Sequence, residues 1–282
     1  MSPRTLQRLA TYTGMAVLLL LFLYPLWWMF SSSFKPGSSI VTNPLSFDPR
    51  ELTLGNYRAM LESVPIWTGF QNTAIMLVLK GGITLVFCPL AGFAFAKYRF
   101  PGKDLLFGFI LLTLMLPTLV LVIPLLLEMS RLGWVNSYQG LVLPGAIDAF
   151  SIFWMRQVIA GVPDELLEAG RLDGCSTLSL YRRIVIPVIR PGLAALAVLT
   201  FLNVYNDFLW PVVVINDESK QTLQVVLSNL SQAISGNQVD SNPASVWGQL
   251  LAATTMATIP VVVLFVVLQR HFVRGILAGS TK

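Results

Sequence analysis

Long apolar runs separated by short polar segments dominate this chain. Six runs can cross a hydrocarbon layer of about 30 Å at 1.5 Å per residue. They lie near residues 10–30, 70–96, 105–127, 138–160, 191–215 and 246–269. The pattern predicts an all-α integral membrane protein: six transmembrane helices forming one domain over residues 1–282. The first run is longer than the apolar core of a secretory signal, and Ser31-Ser32-Ser33-Phe34 makes a poor cleavage site, so it reads as a retained span. Prolines 89, 117, 124, 144 and 260 interrupt the spans, which is tolerated where neighbouring helices satisfy the freed carbonyls. Pro117 and Pro124 fall on nearly one face, so they either shape a bent passage or mark irregular packing.

Residues 161–190 form a polar island with its own grammar. Pro163 suits the first position of a helix. Asp164, Glu165 and Glu168 crowd the positive end of that helix, while Leu166, Leu167 and Ala169 give it an apolar side. Gly174, after Asp173, is a C-terminal stop, and Ser176 is placed to cap a second short helix that Pro187 and Pro191 end. A helix–turn–helix of this size cannot bury its apolar side alone, so the pattern calls for a soluble partner.

Composition strengthens the membrane reading. Hydrophobic residues make up 55% and charged residues 12%, with a mean hydropathy of +0.69; soluble domains carry about 25% charged residues. The net charge of +5 is spread between the apolar runs and forms no dense patch of the kind that binds nucleic acid. Its distribution instead sets topology. With the N-terminus inside, the inner segments hold Arg4, Arg8, Lys97, Arg99, Lys103, Arg156, Arg171, Arg182, Arg183, Arg190, Arg270, Arg274 and Lys282. The outer segments hold only Lys35, Arg50, Arg58, Arg131 and Lys220, which places both termini and the 161–190 loop in the cytoplasm. Trp27-Trp28 and the Tyr98/Phe100 pair read as interfacial anchors. Cys88 lies in an apolar run and Cys175 in the polar loop, so no disulfide is expected. No phosphate-binding GxxxxGK[ST] loop occurs, and the single histidine, His271, leaves no metal cluster or Ser–His arrangement.

Four passages carry a family resemblance. Glu168-Ala169-Gly170-Arg171-Leu172-Asp173-Gly174, followed by Ile184-Val185-Ile186-Pro187, resembles the coupling loop of ABC importer permeases, the EAA motif. Tyr205-Asn206-Asp207-Phe208-Leu209-Trp210-Pro211, the loop Tyr98-Arg99-Phe100-Pro101-Gly102-Lys103 and the tail from Gln269 to Gly279 resemble the carbohydrate-uptake branch, in its maltose-permease-G-like, binding-protein-dependent inner-membrane component. The resemblance covers nearly the whole chain. It implies a type I importer permease in a bacterial inner membrane, moving a sugar or related polyhydroxylated solute by alternating access. The implied partners are a homologous second permease, two ATPase subunits that bind the ATP and Mg, and an extracytoplasmic solute-binding protein; no cofactor belongs to this chain. It also implies that Glu165, Leu166, Leu167, Glu168, Ala169, Gly170, Asp173 and Gly174 couple to the ATPase, with apolar contact from the leucines, a basic partner for Glu168 and a tight turn at Asp173-Gly174. Gly170 departs from the alanine usual there, and glycine weakens a helix by about 1 kcal/mol.

Ionisable and amide groups inside spans mark functional positions by default. Lys80 and Asp148 lie near the middle of the second and fourth spans, and Asn203, Asn206 and Asp207 lie in the outer half of the fifth. These five are expected to line a polar passage or to face one another. For Lys80 and Asp148, an internal ion pair that orients helices stands level with passage lining. Two outer segments, 31–69 and 216–245, read as solvated connections with a short helix at Leu54–Leu61 and one other at most; the resemblance has them help to receive the binding protein. The rival classes are an importer permease for a polyamine or a glycerol phosphate ester, an ion-coupled secondary transporter, and a membrane-embedded enzyme. A secondary transporter has no need of a docking helix pair, and an enzyme requires converging catalytic groups that this sequence lacks.

Overall fold

The computed structural model describes residues 3–235 and 243–279, without the side chains of residues 3, 6, 235, 243–244 and 268–279. His271, the side chains of the tail motif, Arg270, Arg274, Lys282 and the middle of the second outer segment therefore lie outside the description. Every regular element among the described residues is helical. The chain divides into two compact units, residues 1–66 with 226–262 and residues 67–225 with 263–282.

In the first unit, α1 (Pro3–Ser32) carries a long apolar stretch that the rest of the chain leaves uncovered, while Ser31 and Ser32 at its end are buried. After it, α2 (Gly37–Thr42) and α3 (Gly55–Ser63) give residues 31–65 a packed structure of their own. The Asn56 side chain is buried and donates to the carbonyls of Ser33 and Lys35 at 2.8 and 2.7 Å. Lys35, buried as well, donates to Pro44 O at 3.1 Å, beside the Trp28 indole N–H at 2.7 Å. The first outer segment is thus a folded block, because buried amides and ammonium groups need fixed acceptors. The predicted helix near Leu54–Leu61 is α3, displaced by one to two residues.

In the second unit, α4 (Ile66–Lys97) is one long helix containing Pro89. Three predicted spans are not continuous helices. The 105–127 run is α5 (Lys103–Leu114) and α6 (Thr118–Arg131), bent by 104° at their junction. Pro117 causes the break: it lies at the N-cap of α6 and disfavours helical geometry at Leu116. The 138–160 run is α7 (Tyr138–Val142) and α8 (Ala149–Ala160), parted by Pro144 and by Gly145 at φ 72°. The 191–215 run is α12 (Arg190–Tyr205) and α13 (Leu209–Val214), parted at residues 206–208. By length and composition, three helices among the described residues can cross a membrane, or up to five if each sharply bent pair is one span.

Between those breaks, α9 (Asp164–Leu172), α10 (Thr177–Leu180), a π turn (Tyr181–Val185) and α11 (Ile186–Val188) build the 161–190 loop. Pro187 does not end the second helix as expected. The π turn widens the backbone ahead of it, relieving the clash of its ring with the Arg183 carbonyl, and helix continues to Val188. An 80° bend then leads into α12.

Residues 216–222 form a strap that leads into α14 (Leu223–Ser235), and the long α15 (Pro243–Gly279) contains Pro260. Asn72, near the start of α4, donates to Ser219 O and Gln221 O at 3.0 and 2.9 Å and accepts from the Tyr138 hydroxyl at 2.6 Å. Lys220 donates to Asn136 O at 2.9 Å. Lys97, at the other end of α4, contacts the 161–190 loop. From Asn72 to Lys97 is about 37 Å of helix at 1.5 Å per residue, so the strap and the loop lie at opposite ends of one span.

Candidate functional site, the helix pair of residues 161–190

The turn between the two loop helices follows from local chemistry. Asp173 is the C-cap of α9, and Gly174 follows at φ 77°, a conformation that costs any residue with a Cβ. Cys175 N donates to Gly170 O at 2.9 Å and Gly174 N to Arg171 O at 3.0 Å, the pair of bonds that defines a Schellman stop. The Ser176 hydroxyl then accepts from Ser179 N at 3.4 Å as the cap of α10. Pro163 sits one position earlier than expected, as the N-cap of α9, and the first helical residue is Asp164.

Packing separates the predicted contact residues. Leu167 is only 2% exposed and lies in a core with Phe93, Met155, Ile159, Val162, Leu180, Tyr181 and Val185. It therefore anchors α9 to its own chain and is not free to meet a partner, a correction to its expected role. Gly170 is buried too, and a Cβ there would press on the outer methyls of Leu180 and Ile184. The glycine is where α9 packs closely on Leu180 and Ile184. Glu165, Leu166, Glu168, Ala169, Asp173 and Gly174 are exposed. So are Leu172, at 90%, and Leu178, which the sequence reading did not include. Their signal was available: Leu166, Ala169 and Leu172 recur at a spacing of three along one side of the helix.

Lys97, in the sequence only one of the charges that set topology, is a further residue of this site. Its ammonium donates to Asp164 Oδ1 at 2.7 Å and to Val162 O at 2.6 Å. The bond from Lys97 and its positive charge hold the Asp164 carboxyl below its ordinary value of 3.8.

The five intramembrane candidates do not gather at one place. Lys80 and Asp207 form an ion pair at 3.6 Å, both largely buried. Asp148 joins neither; it is the N-cap of α8, accepting from the backbone N–H and hydroxyl of Ser151. It lies in the middle of the 138–160 run, in the gap that Pro144 and Gly145 open between α7 and α8. Asn206 donates to Leu202 O of its own helix at 2.8 Å, and Asn203 is exposed. Just after them, buried Trp210 donates to Gly140 O at 2.9 Å, pinning α13 to α7. Among the described residues, no group of three or more His, Cys, Asp or Glu side chains is arranged to hold a metal ion.

Long apolar helices, sharply broken spans and a capped helix pair at one end of the bundle are the features of a membrane permease component of an ABC importer. Residues 89–278 match the family described as binding-protein-dependent transport system inner membrane component, and the chain belongs to that family. It is 34% identical over 272 residues to an arabinooligosaccharides transport system permease protein of Halalkalibacterium halodurans, covering 95% of this chain and 94% of that protein. It is also 34% identical over 271 residues to the sn-glycerol-3-phosphate transport system permease protein of Salmonella typhi, covering 93% and 92%. A crystal structure of a bacterial ABC transporter involved in import of the acidic polysaccharide alginate contains a chain of the same fold. The TM-score is 0.85 at 26% identity, over 96% of this chain and 99% of that one. This likeness extends over the broken spans as well as the long helices, and the type I permease fold of the sequence reading stands.

Proposed function

We propose that this chain is one of two homologous membrane subunits of an ATP-driven importer for a sugar or related polyhydroxylated solute. Its α9–α10 pair is the cytoplasmic coupling element, and both termini face the cytoplasm. The ATP and Mg belong to two separate ATPase subunits, this chain having no nucleotide site of its own, and an extracytoplasmic binding protein delivers the solute. Closure of the ATPases moves the pair, and the spans alternate the passage between inward- and outward-facing states, a bistable rearrangement driven by differential binding.

The observation that carries this reading is the division of labour within α9. Leu167 and Gly170 lock it to the core, while Glu165, Leu166, Glu168, Ala169 and Leu172 are left exposed on a rigid mount. A helix built that way transmits force from whatever seats on it. Cargo is supported by two considerations. The arabinooligosaccharide relative is named for a polyhydroxylated solute without fixed charge, and the pairing of Lys80 with Asp207 leaves little unbalanced charge within the spans for a charged solute to meet. The glycerol-3-phosphate relative, equally similar, keeps a phosphate ester as the second reading.

Glu168→Lys tests the coupling reading. Membrane insertion is expected to stay intact, while transport and stimulation of the ATPase by loaded binding protein are abolished. Normal uptake by that variant would refute it. Comparing ATPase stimulation by arabino-oligosaccharides and by glycerol 3-phosphate in the reconstituted complex separates the two cargo readings.

A further inference from the structure

We propose that Lys97 is a positioning residue for α9, fixing the angle at which the coupling helix leaves the bundle. The role rests on the importer reading above and adds a residue to it. A lysine ammonium has three donors and no acceptor. In Lys97 all three are directed at one corner: Val162 O at 2.6 Å, Asp164 Oδ1 at 2.7 Å and, at a longer 3.5 Å, Ala160 O. Ala160 is the last residue of α8, where a helix leaves carbonyls without intrahelical partners. Asp164 is the first residue of α9. One ammonium, its side chain 6% exposed, therefore joins the end of α4, the end of α8 and the start of α9.

The apolar contacts beneath this corner cannot set the angle alone. Phe93, one turn before Lys97, packs against Tyr98 and Tyr181, each at 5.3 Å between ring centres, and Leu167 lies in the same core. Such contacts hold α9 down, but apolar burial is non-directional. The connection from α8 to α9 is only residues 161–163, of which Val162 alone is buried. Val162 N donates to Ile159 O at 3.1 Å within the connection, and the side-chain hydrogen bonds that reach it from another helix come from Lys97. A purely topological role is the competing account, yet Arg99 and Lys103 would keep the orientation of that segment without it.

The test uses the complete complex in nanodiscs, with amide hydrogen exchange across residues 164–172 as the readout. Lys97→Met keeps the stem and removes the ammonium. Exchange is expected to rise at least tenfold while the thermal midpoint of the chain and retention of the ATPase subunits stay near wild type. Lys97→Arg, which keeps a cation with several donors, is expected to return exchange to within about threefold of wild type. Asp164→Ala, removing one acceptor of three, should fall between them. Unchanged exchange in Lys97→Met, or an equal rise in Lys97→Arg, overturns the role. If no ATPase associates with the wild-type chain, the importer reading fails instead. Exchange in the chain by itself then still decides whether Lys97 fixes α9.

Discussion

Lys80 Nζ lies 3.6 Å from Asp207 Oδ2, joining the middle of α4 to the break between α12 and α13. The pair is confined among apolar helices, so its members depend on each other more than on solvent. Removing one partner of a buried pair strands a charge at a cost of about 3–5 kcal/mol, whereas removing both is often nearly neutral. Lys80→Met alone should therefore lower the thermal midpoint in detergent sharply, and Lys80→Met with Asp207→Leu should recover most of the loss. A double variant no more stable than the single one would show that the pair carries no such dependence.

Gly174 holds φ at 77° with open space around its Cα, so backbone strain alone decides what a side chain there would cost. Gly174→Ala should destabilise the loop by about 1 kcal/mol, and Gly174→Asn by less, because asparagine tolerates the left-handed region better. Limited proteolysis at residues 172–176 ranks the two variants directly.

Gly170 poses the opposite problem, with crowding in place of strain. An added Cβ meets only the movable ends of Leu180 and Ile184, and alanine favours helix over glycine by about 1 kcal/mol. Gly170→Ala should thus stay within about 1 kcal/mol of wild type, while Gly170→Phe should part α9 from α10 and abolish ATPase binding. Co-purification of the ATPase with each variant is the check.

Asp164 gives the loop a defined response to acid. Because the bond from Lys97 and then its charge hold the carboxyl below 3.8, the link contributes fully above that value. It is lost as pH falls through the lower folded-state value. A fluorophore on Cys175, the half-exposed thiol beside the turn, should report no change from neutral pH down to about 4 and a change only below it. A transition near pH 6 would assign the event to another group.

The sequence made some features of this site plain and hid others, for a physical reason. Gly174 and Ser176 were readable because a positive φ and a hydroxyl cap depend on immediate neighbours. Leu167 was not, since its burial depends on Phe93 and Met155, which are distant in sequence. The prolines at 117 and 144 marked two of the breaks in the sequence, whereas that at residues 206–208 contains no proline and vanishes in a hydropathy average, which counts apolar side chains and ignores the backbone between them. Asp148 keeps its place in the middle of its run, but the division of that run makes it a helix cap, a role no average shows. The ion pair predicted as an option for Lys80 does exist, but with Asp207, because that residue lies at the break facing α4.

The two polar ties at Asn72 and Lys97 stand about 37 Å apart along one helix. That exceeds the oily slab of a typical bilayer, about 30 Å, and falls short of the 40–45 Å that includes the headgroups. For an α4 that crosses upright, both ties fall at the depth of the headgroup layers, one on each face. Lipids with longer acyl chains would draw one tie or the other toward oil, so bilayer thickness becomes a variable to which this helix, and the elements tied to its ends, must answer.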